Sequence, residues 1–135
     1  MNSTLFDSYP DELTPVQLTH SREMSGFADA MEKKVFEATA RLNTSQNTQI
    51  KYFEYEATEF VVKVVRGDVV AKCGFMRTVV KKELPPMMPD PLVNRYIQID
   101  IYPKTPLVGM LHIGGNQAFC SGQRPLNYNR RKVSH

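Results

Sequence analysis

EFVVKVVRGDVVAKCGFMRTVV, residues 59–80, decides the fold. Two valine-rich runs flank Arg66-Gly67-Asp68. β-Branched side chains suit a pleated surface, and a central glycine can take the positive φ that a tight hairpin turn demands, so the stretch predicts a β-hairpin. Downstream, ELPPMMPDP (83–91) holds four prolines in nine residues, which excludes a central strand and predicts a stiff connector. A third strand follows at Arg95–Tyr102, where Ile97, Ile99 and Ile101 alternate with Tyr96, Gln98, Asp100 and Tyr102. One of its faces is apolar and the other can do chemistry. Pro103 and Pro106 bound a short loop, and a fourth strand is predicted from Leu107 to Ile113, ended by Gly114-Gly115.

Upstream of the hairpin, residues 1–13 read as an irregular arm. Thr14-Pro15-Val16-Gln17 then reads as a helix start, with Thr14 as cap, Pro15 in the first turn and Gln17 completing a capping box. Val16, His20, Met24, Phe27, Met31, Val35, Ala38 and Leu42 recur at spacings of three and four, which predicts one long amphipathic helix whose weak point is Ser25-Gly26. The polar run NTSQNTQ (43–49) is expected to end it, and Glu54, Glu56 and Glu59 are expected on a strand's solvent face. The predicted class is α+β: an antiparallel sheet of at least four strands with an N-terminal helix packed on it. The chain divides into the arm at 1–13, one domain at 14–120 and a tail at 121–135.

The 135 residues fit a single core, and no stretch approaches the roughly 18 apolar residues that a membrane span needs. The start MNSTLFDSYPDE has no basic or long apolar segment, so no targeting segment is expected. The net charge of +3 resides in the tail: setting aside Arg124, Arg130, Arg131 and Lys132 leaves 13 basic against 14 acidic residues. Nucleic acid is therefore not an expected partner except through that tail. Cys73 and Cys120 have no partnering spacing, which argues against structural zinc and for a reducing compartment, cytoplasmic or mitochondrial, with Cys73 as a buried thiol.

No nucleophile elbow, phosphate loop, dinucleotide fingerprint or paired-histidine metal motif is present, so neither a metal nor a cofactor is expected. His20 falls on the helix stripe and reads as a core-edge residue. The chemistry-bearing residues gather near 77–116. Tyr102 and Lys104 are expected at one end of the sheet, with Thr78 within reach from the hairpin, a set suited to a carboxylate-bearing ligand.

In order, G67-D-V-V-A-K72-C-G74-F-M-R-T78-V-V80, E83-L-P-P86 and Y102-P-K-T-P106-L-V-G-M-L-H112-I-G-G-N116 resemble the aerobic coproporphyrinogen III oxidase family over roughly residues 26–119. The resemblance implies a flat antiparallel sheet flanked by helices. It also implies oxidative decarboxylation of porphyrinogen propionates by oxygen without a metal or organic cofactor, and a homodimer. Thr78, Lys104, Thr105 and Pro106 would contact substrate, with Asn116 at the place of the family's closing arginine. His112 would be the second histidine, and Tyr102 stands where the family has its proton-donating histidine. A phenol with a pKa near 10 exchanges protons at neutral pH far less readily than an imidazole, so the expectation is a divergent, half-length relative without the family's decarboxylase activity. It would bind a tetrapyrrole or another carboxylated molecule, or serve as a non-enzymatic accessory subunit. A bilin-reductase-like enzyme is the third reading. A half-length sheet would expose one face unless a second copy or another protein covers it, which predicts a homo- or hetero-oligomer.

Overall fold

The computed structural model describes residues 5–56, 58–80 and 91–120; the proline connector and the basic tail lie outside the described residues, apart from Pro91, which opens a strand. One helix, α1 (Pro15–Leu42), precedes five strands: β1 (Gln46–Tyr55), β2 (Thr58–Gly67), β3 (Val70–Val80), β4 (Pro91–Pro103) and β5 (Leu111–Cys120). The strands form one antiparallel sheet in sequence order. The α+β architecture with an N-terminal helix therefore stands, with a fifth strand added.

The helix starts as its sequence dictates. Gln17 N donates to Thr14 Oγ1 at 3.2 Å and Thr14 N donates to Gln17 Oε1 at 3.0 Å, with Pro15 in the first turn. It runs unbroken through Ser25-Gly26. Its buried face differs from the predicted stripe. Ser21, Ser25, Ala28, Phe36 and Thr39 are buried, while Val16, Phe27 and Leu42 are exposed and Met24, Met31 and Val35 only flank the core. His20 is exposed and contacts Glu23. The reason lies on the sheet. Arg95, 2% exposed on the helix-facing side of β4, reaches into the helix, and only small polar residues can meet it there. Its Nη1 donates to Ser25 Oγ at 2.8 Å and to Phe6 O at 2.7 Å, and its Nη2 donates to Ser21 O and to Gln117 Oε1. Burial lowers the Arg95 pKa, against the pull of Tyr9 and Asp7. The neighbouring Arg77, also buried, donates at 2.9 Å to both Asp29 and Glu32 of the helix.

The N-terminal arm is irregular but not peripheral. Phe6 is 1% exposed and lies between the Arg77 and Arg95 guanidinium groups, 5.0 and 4.8 Å from its ring. With Ala28, Phe36, Val65, Val70, Cys73, Phe75, Ile97 and Ile99 it makes the core between helix and sheet. Cys73 is buried as expected, and burial raises its pKa.

Four further expectations change. The hairpin at 59–80 exists, with Thr58↔Val80 through Val65↔Cys73 paired, but none of the described glycines has positive φ. Gly67 is needed for space instead, since a Cβ there would overlap the Asn43 carboxamide. Asn43 Oδ1 accepts from Val69 N at 2.9 Å and Val70 N at 2.8 Å, which ties the helix end to the β2–β3 turn. The polar run 43–49 is not only a terminator, because β1 already begins at Gln46. Of the three glutamates, Glu54 is exposed, Glu56 occupies the β1–β2 turn at φ 52°, and Glu59 is buried and accepts from Tyr52 Oη. The last strand does not span 107–113. Residues 104–110 form an exposed loop, and β5 runs through Gly114-Gly115 to Cys120, because each of these glycines pairs with β4, opposite Gln98 and Ile97.

Candidate functional site on the open face of the sheet

Register sorts the sheet into two faces. Residues opposite one another share a face and alternate residues change face. The helix covers the side carrying Val61, Val65, Cys73, Phe75, Arg77, Arg95, Ile97 and Ile99. The opposite side has no element over it among the described residues. Across that open side run two rows. The first is Phe53, Phe60, Thr78, Tyr96 and Asn116. The second is Gln49, Val64, Gly74, Asp100 and His112.

The second row carries the chemistry. Hairpin β4–β5 places His112 directly opposite Asp100. His112 Nδ1 donates to Asp100 Oδ1 in a short contact, and Gln98 Nε2 donates to Asp100 Oδ2 at 3.0 Å. A carboxylate can only accept, so Asp100 holds the proton on Nδ1 and leaves Nε2 uncommitted to the pair. With 49% of its side chain exposed, His112 can reach a bound molecule, while Asp100, at 19%, is the more sheltered partner. Tyr102 follows Asp100 on the same face of β4, and Lys72, opposite Tyr102 on β3, holds its Nζ 5.4 Å from the Tyr102 ring centroid. Gly74 keeps the floor beside Asp100 low, and the Tyr96 phenol lies across Gly114, where a Cβ would overlap it.

The first row is aromatic. Phe53 and Phe60 stack with centroids 5.0 Å apart and planes at 21°. Thr78, 6% exposed, sits between Phe60 and Tyr96, and among the described residues its hydroxyl has no hydrogen-bond partner. The two rows are separated by four residues along β4, about 13 Å at ~3.3 Å per residue.

The residues predicted as one site therefore fall into three groups. Tyr102 and His112 are neighbours on the open face. Thr78 and Asn116 share the aromatic row through Tyr96. Lys104, Thr105 and Pro106 lie in the exposed loop, where Lys104 N donates to Val69 O at 2.9 Å and the side chain lines a shallow groove with Arg66, Gly67 and Asp68. The expected approach of Thr78 to Tyr102 does not occur. Pairing of Val70 with Pro103 and of Thr78 with Tyr96 puts six residues, about 20 Å, between them. Asp100, Gln98, Tyr96 and Lys72 had not been singled out. The alternation in Arg95–Tyr102 already placed three of them on the polar face, but only the register sets Asp100 against His112.

Among the described residues no group of three or more metal-binding side chains occurs, and no helix is long and apolar enough to cross a membrane. No known protein family, curated relative or solved structure matches the chain.

Proposed function

We propose that the open face of the sheet binds a planar, carboxylate-bearing ligand, best represented by a tetrapyrrole. On this reading the chain is a divergent coproporphyrinogen-oxidase-like binding protein without the family's decarboxylase activity. The observation that carries the proposal is the Gln98–Asp100–His112 chain, an oriented polar relay on a face that the helix leaves open. An aspartate that orients a half-exposed imidazole restricts a side chain that would otherwise rotate freely, which suits a site and contributes little to a core. The surroundings fit the ligand class. Phe60, Tyr96 and Tyr102 offer planar contact area, and Lys72 supplies a cation for a carboxylate. Five strands at ~4.8 Å spacing give about 19 Å of width, enough for a macrocycle.

The test is a titration of the full chain with coproporphyrin, followed by the pigment's visible absorbance and by fluorescence quenching. A saturable shift is expected, weakened by His112→Ala and by Lys72→Ala, with Lys104→Ala less damaging because Lys104 faces the β2–β3 turn. Absence of any spectral change at high pigment excess would remove this reading. Aerobic incubation with coproporphyrinogen is expected to yield no protoporphyrinogen, since Tyr102 stands in the proton donor's place. One observation favours the accessory-subunit reading as a second line: β1 is exposed on both faces, with Ile50, Tyr52, Phe53 and Tyr55 all in solvent, as a protein contact surface would be.

A further inference from the structure

Strand β1 stands at the edge of the sheet with every residue exposed. It pairs with β2 over all ten residues without a register shift, so no bulge twists it away, and it holds neither proline nor glycine. Natural proteins usually blunt such an edge, because its unpaired N–H and C=O groups template another strand. Here only Lys51 and Glu54 carry charge.

We infer that the occupant of this edge is a second copy of β1, paired antiparallel about a two-fold axis through Ile50. Self-pairing that keeps each face continuous opposes residues of like parity, and three central registers can be compared residue by residue. Centring on Lys51 sets two ammonium groups against each other, which is destabilising. Centring on Tyr52 shortens the overlap to residues 49–55 and twice places Glu54 against Ile50. Centring on Ile50 pairs residues 46–54. Ile50 meets Ile50 and Thr48 meets Tyr52 on one face, and Gln49 meets Lys51 and Asn47 meets Phe53 on the other. Gln46 meets Glu54, an amide donor opposite a carboxylate, and no charge faces its like. This register uses the whole edge, covers the exposed Ile50 and Tyr52, and extends the sheet to ten strands with the His112–Asp100 pair of each copy far from the junction.

Sedimentation of the full chain from micromolar to several hundred micromolar tests the inference. A concentration-dependent dimer is expected, and Ile50→Lys, at a site 56% exposed and so harmless to folding, should raise the dimer dissociation constant about tenfold by opposing two lysines. In a Cys120→Ser background, Ile50→Cys should form a disulfide-linked dimer under mild oxidation, because cross-strand Cβ atoms at a pair lie within ~5.5 Å. Lys51→Cys should do so far more slowly, being opposite Gln49. A monomer at every concentration, or cross-linking as fast at Lys51→Cys as at Ile50→Cys, would overturn the inference.

Discussion

Replacing Arg95 by methionine isolates the interaction that sets the helix on the sheet. Methionine keeps a flexible apolar stem of similar length and removes the guanidinium, which makes five hydrogen bonds to four acceptors. Three acceptors have recourse. Ser25 Oγ keeps Tyr9 Oη, Ser21 O still meets Tyr9 Oη at 3.4 Å, and Gln117 can turn outward while its Nε2 holds His20 O. The fourth, Phe6 O, loses a 2.7 Å partner. Breaking that buried contact costs about 1–3 kcal/mol, and the other lost charge-assisted bonds add about 1.5 kcal/mol or more. Relief of a buried cation whose nearest carboxylate, Asp7, is 4.0 Å away and half exposed offsets part of this. The net expectation is a loss of about 3 kcal/mol, a hundredfold or more in the unfolding constant and roughly 10 °C in Tm. Denaturant titration of Arg95→Met measures it. Hydrogen exchange should show the first half of α1 opening before β2 and β3. A change below about 0.5 kcal/mol would refute the reasoning, because the buried cation would then be dispensable and the polar helix face would need another cause.

Phe6→Ala should cost about 3–4 kcal/mol in denaturant titration, since it empties a buried ring site between two guanidinium groups; a surface-like loss would place the arm outside the core. Asp68 is held at about 2 by hydrogen bonds from the Thr44 hydroxyl and the Ser45 and Thr44 backbone N–H groups. Its folded pKa lies below the unfolded value near 4, so its stabilisation is complete above pH 4 and is lost as pH falls from about 4 to 2; the acid limb of a pH–stability curve should flatten in Asp68→Asn. Gly67→Ala should cost about 2 kcal/mol by displacing the Asn43 carboxamide from Val69 and Val70, and Asn43→Ala should remove most of that penalty in a double-mutant cycle. Gly114→Ala should leave thermal stability within about 1 kcal/mol, as the strand is an exposed edge, yet alter coproporphyrin binding by shifting the Tyr96 ring.

What the sequence disclosed were features that single residues or short spacings specify. The Thr14–Gln17 capping box, the strand pairing of the valine hairpin and the alternation of β4 are local, and each formed, although the hairpin's turn uses Gly67 for space and not for a positive φ. The helix face was not legible. Its stripe of Val16, Phe27 and Leu42 satisfies helical periodicity, but the buried set contains Ser21 and Ser25, which make sense only once Arg95 is known to point inward, and Thr39, whose hydroxyl donates to Val35 O beside Cys73. Gly114-Gly115 misled for a similar reason. Glycine disfavours a strand when considered alone, yet here the pairing with Gln98 and Ile97 carries β5 across both, and the missing Cβ makes room for Tyr96. His112 was visible as a chemistry-bearing residue, and Asp100 as a polar-face residue of another strand. Only the length of the 104–110 loop, which fixes register, made them partners.

The two faces of the sheet separate stability from binding. Charge on the helix side is met inside the protein: Arg77 pairs with Asp29 and Glu32, and Arg95 is hydrogen-bonded by backbone carbonyls, a serine and a glutamine. Those groups are committed to holding the helix on the sheet, and altering them should weaken folding first. Polar groups on the open side are arranged otherwise. The Asp100 carboxylate holds Nδ1 of His112 and leaves Nε2 uncommitted, and Lys72 lies over a phenol ring. Because His112 is half exposed on an uncovered face, the mutual attraction of these groups stabilises the fold by about 1 kcal/mol at most. Selection for stability alone would not hold a histidine, an aspartate and a glutamine in line on an uncovered face. That order is accounted for if a bound molecule uses it, and variants of His112 that fold normally but lose pigment binding would locate the function on this side.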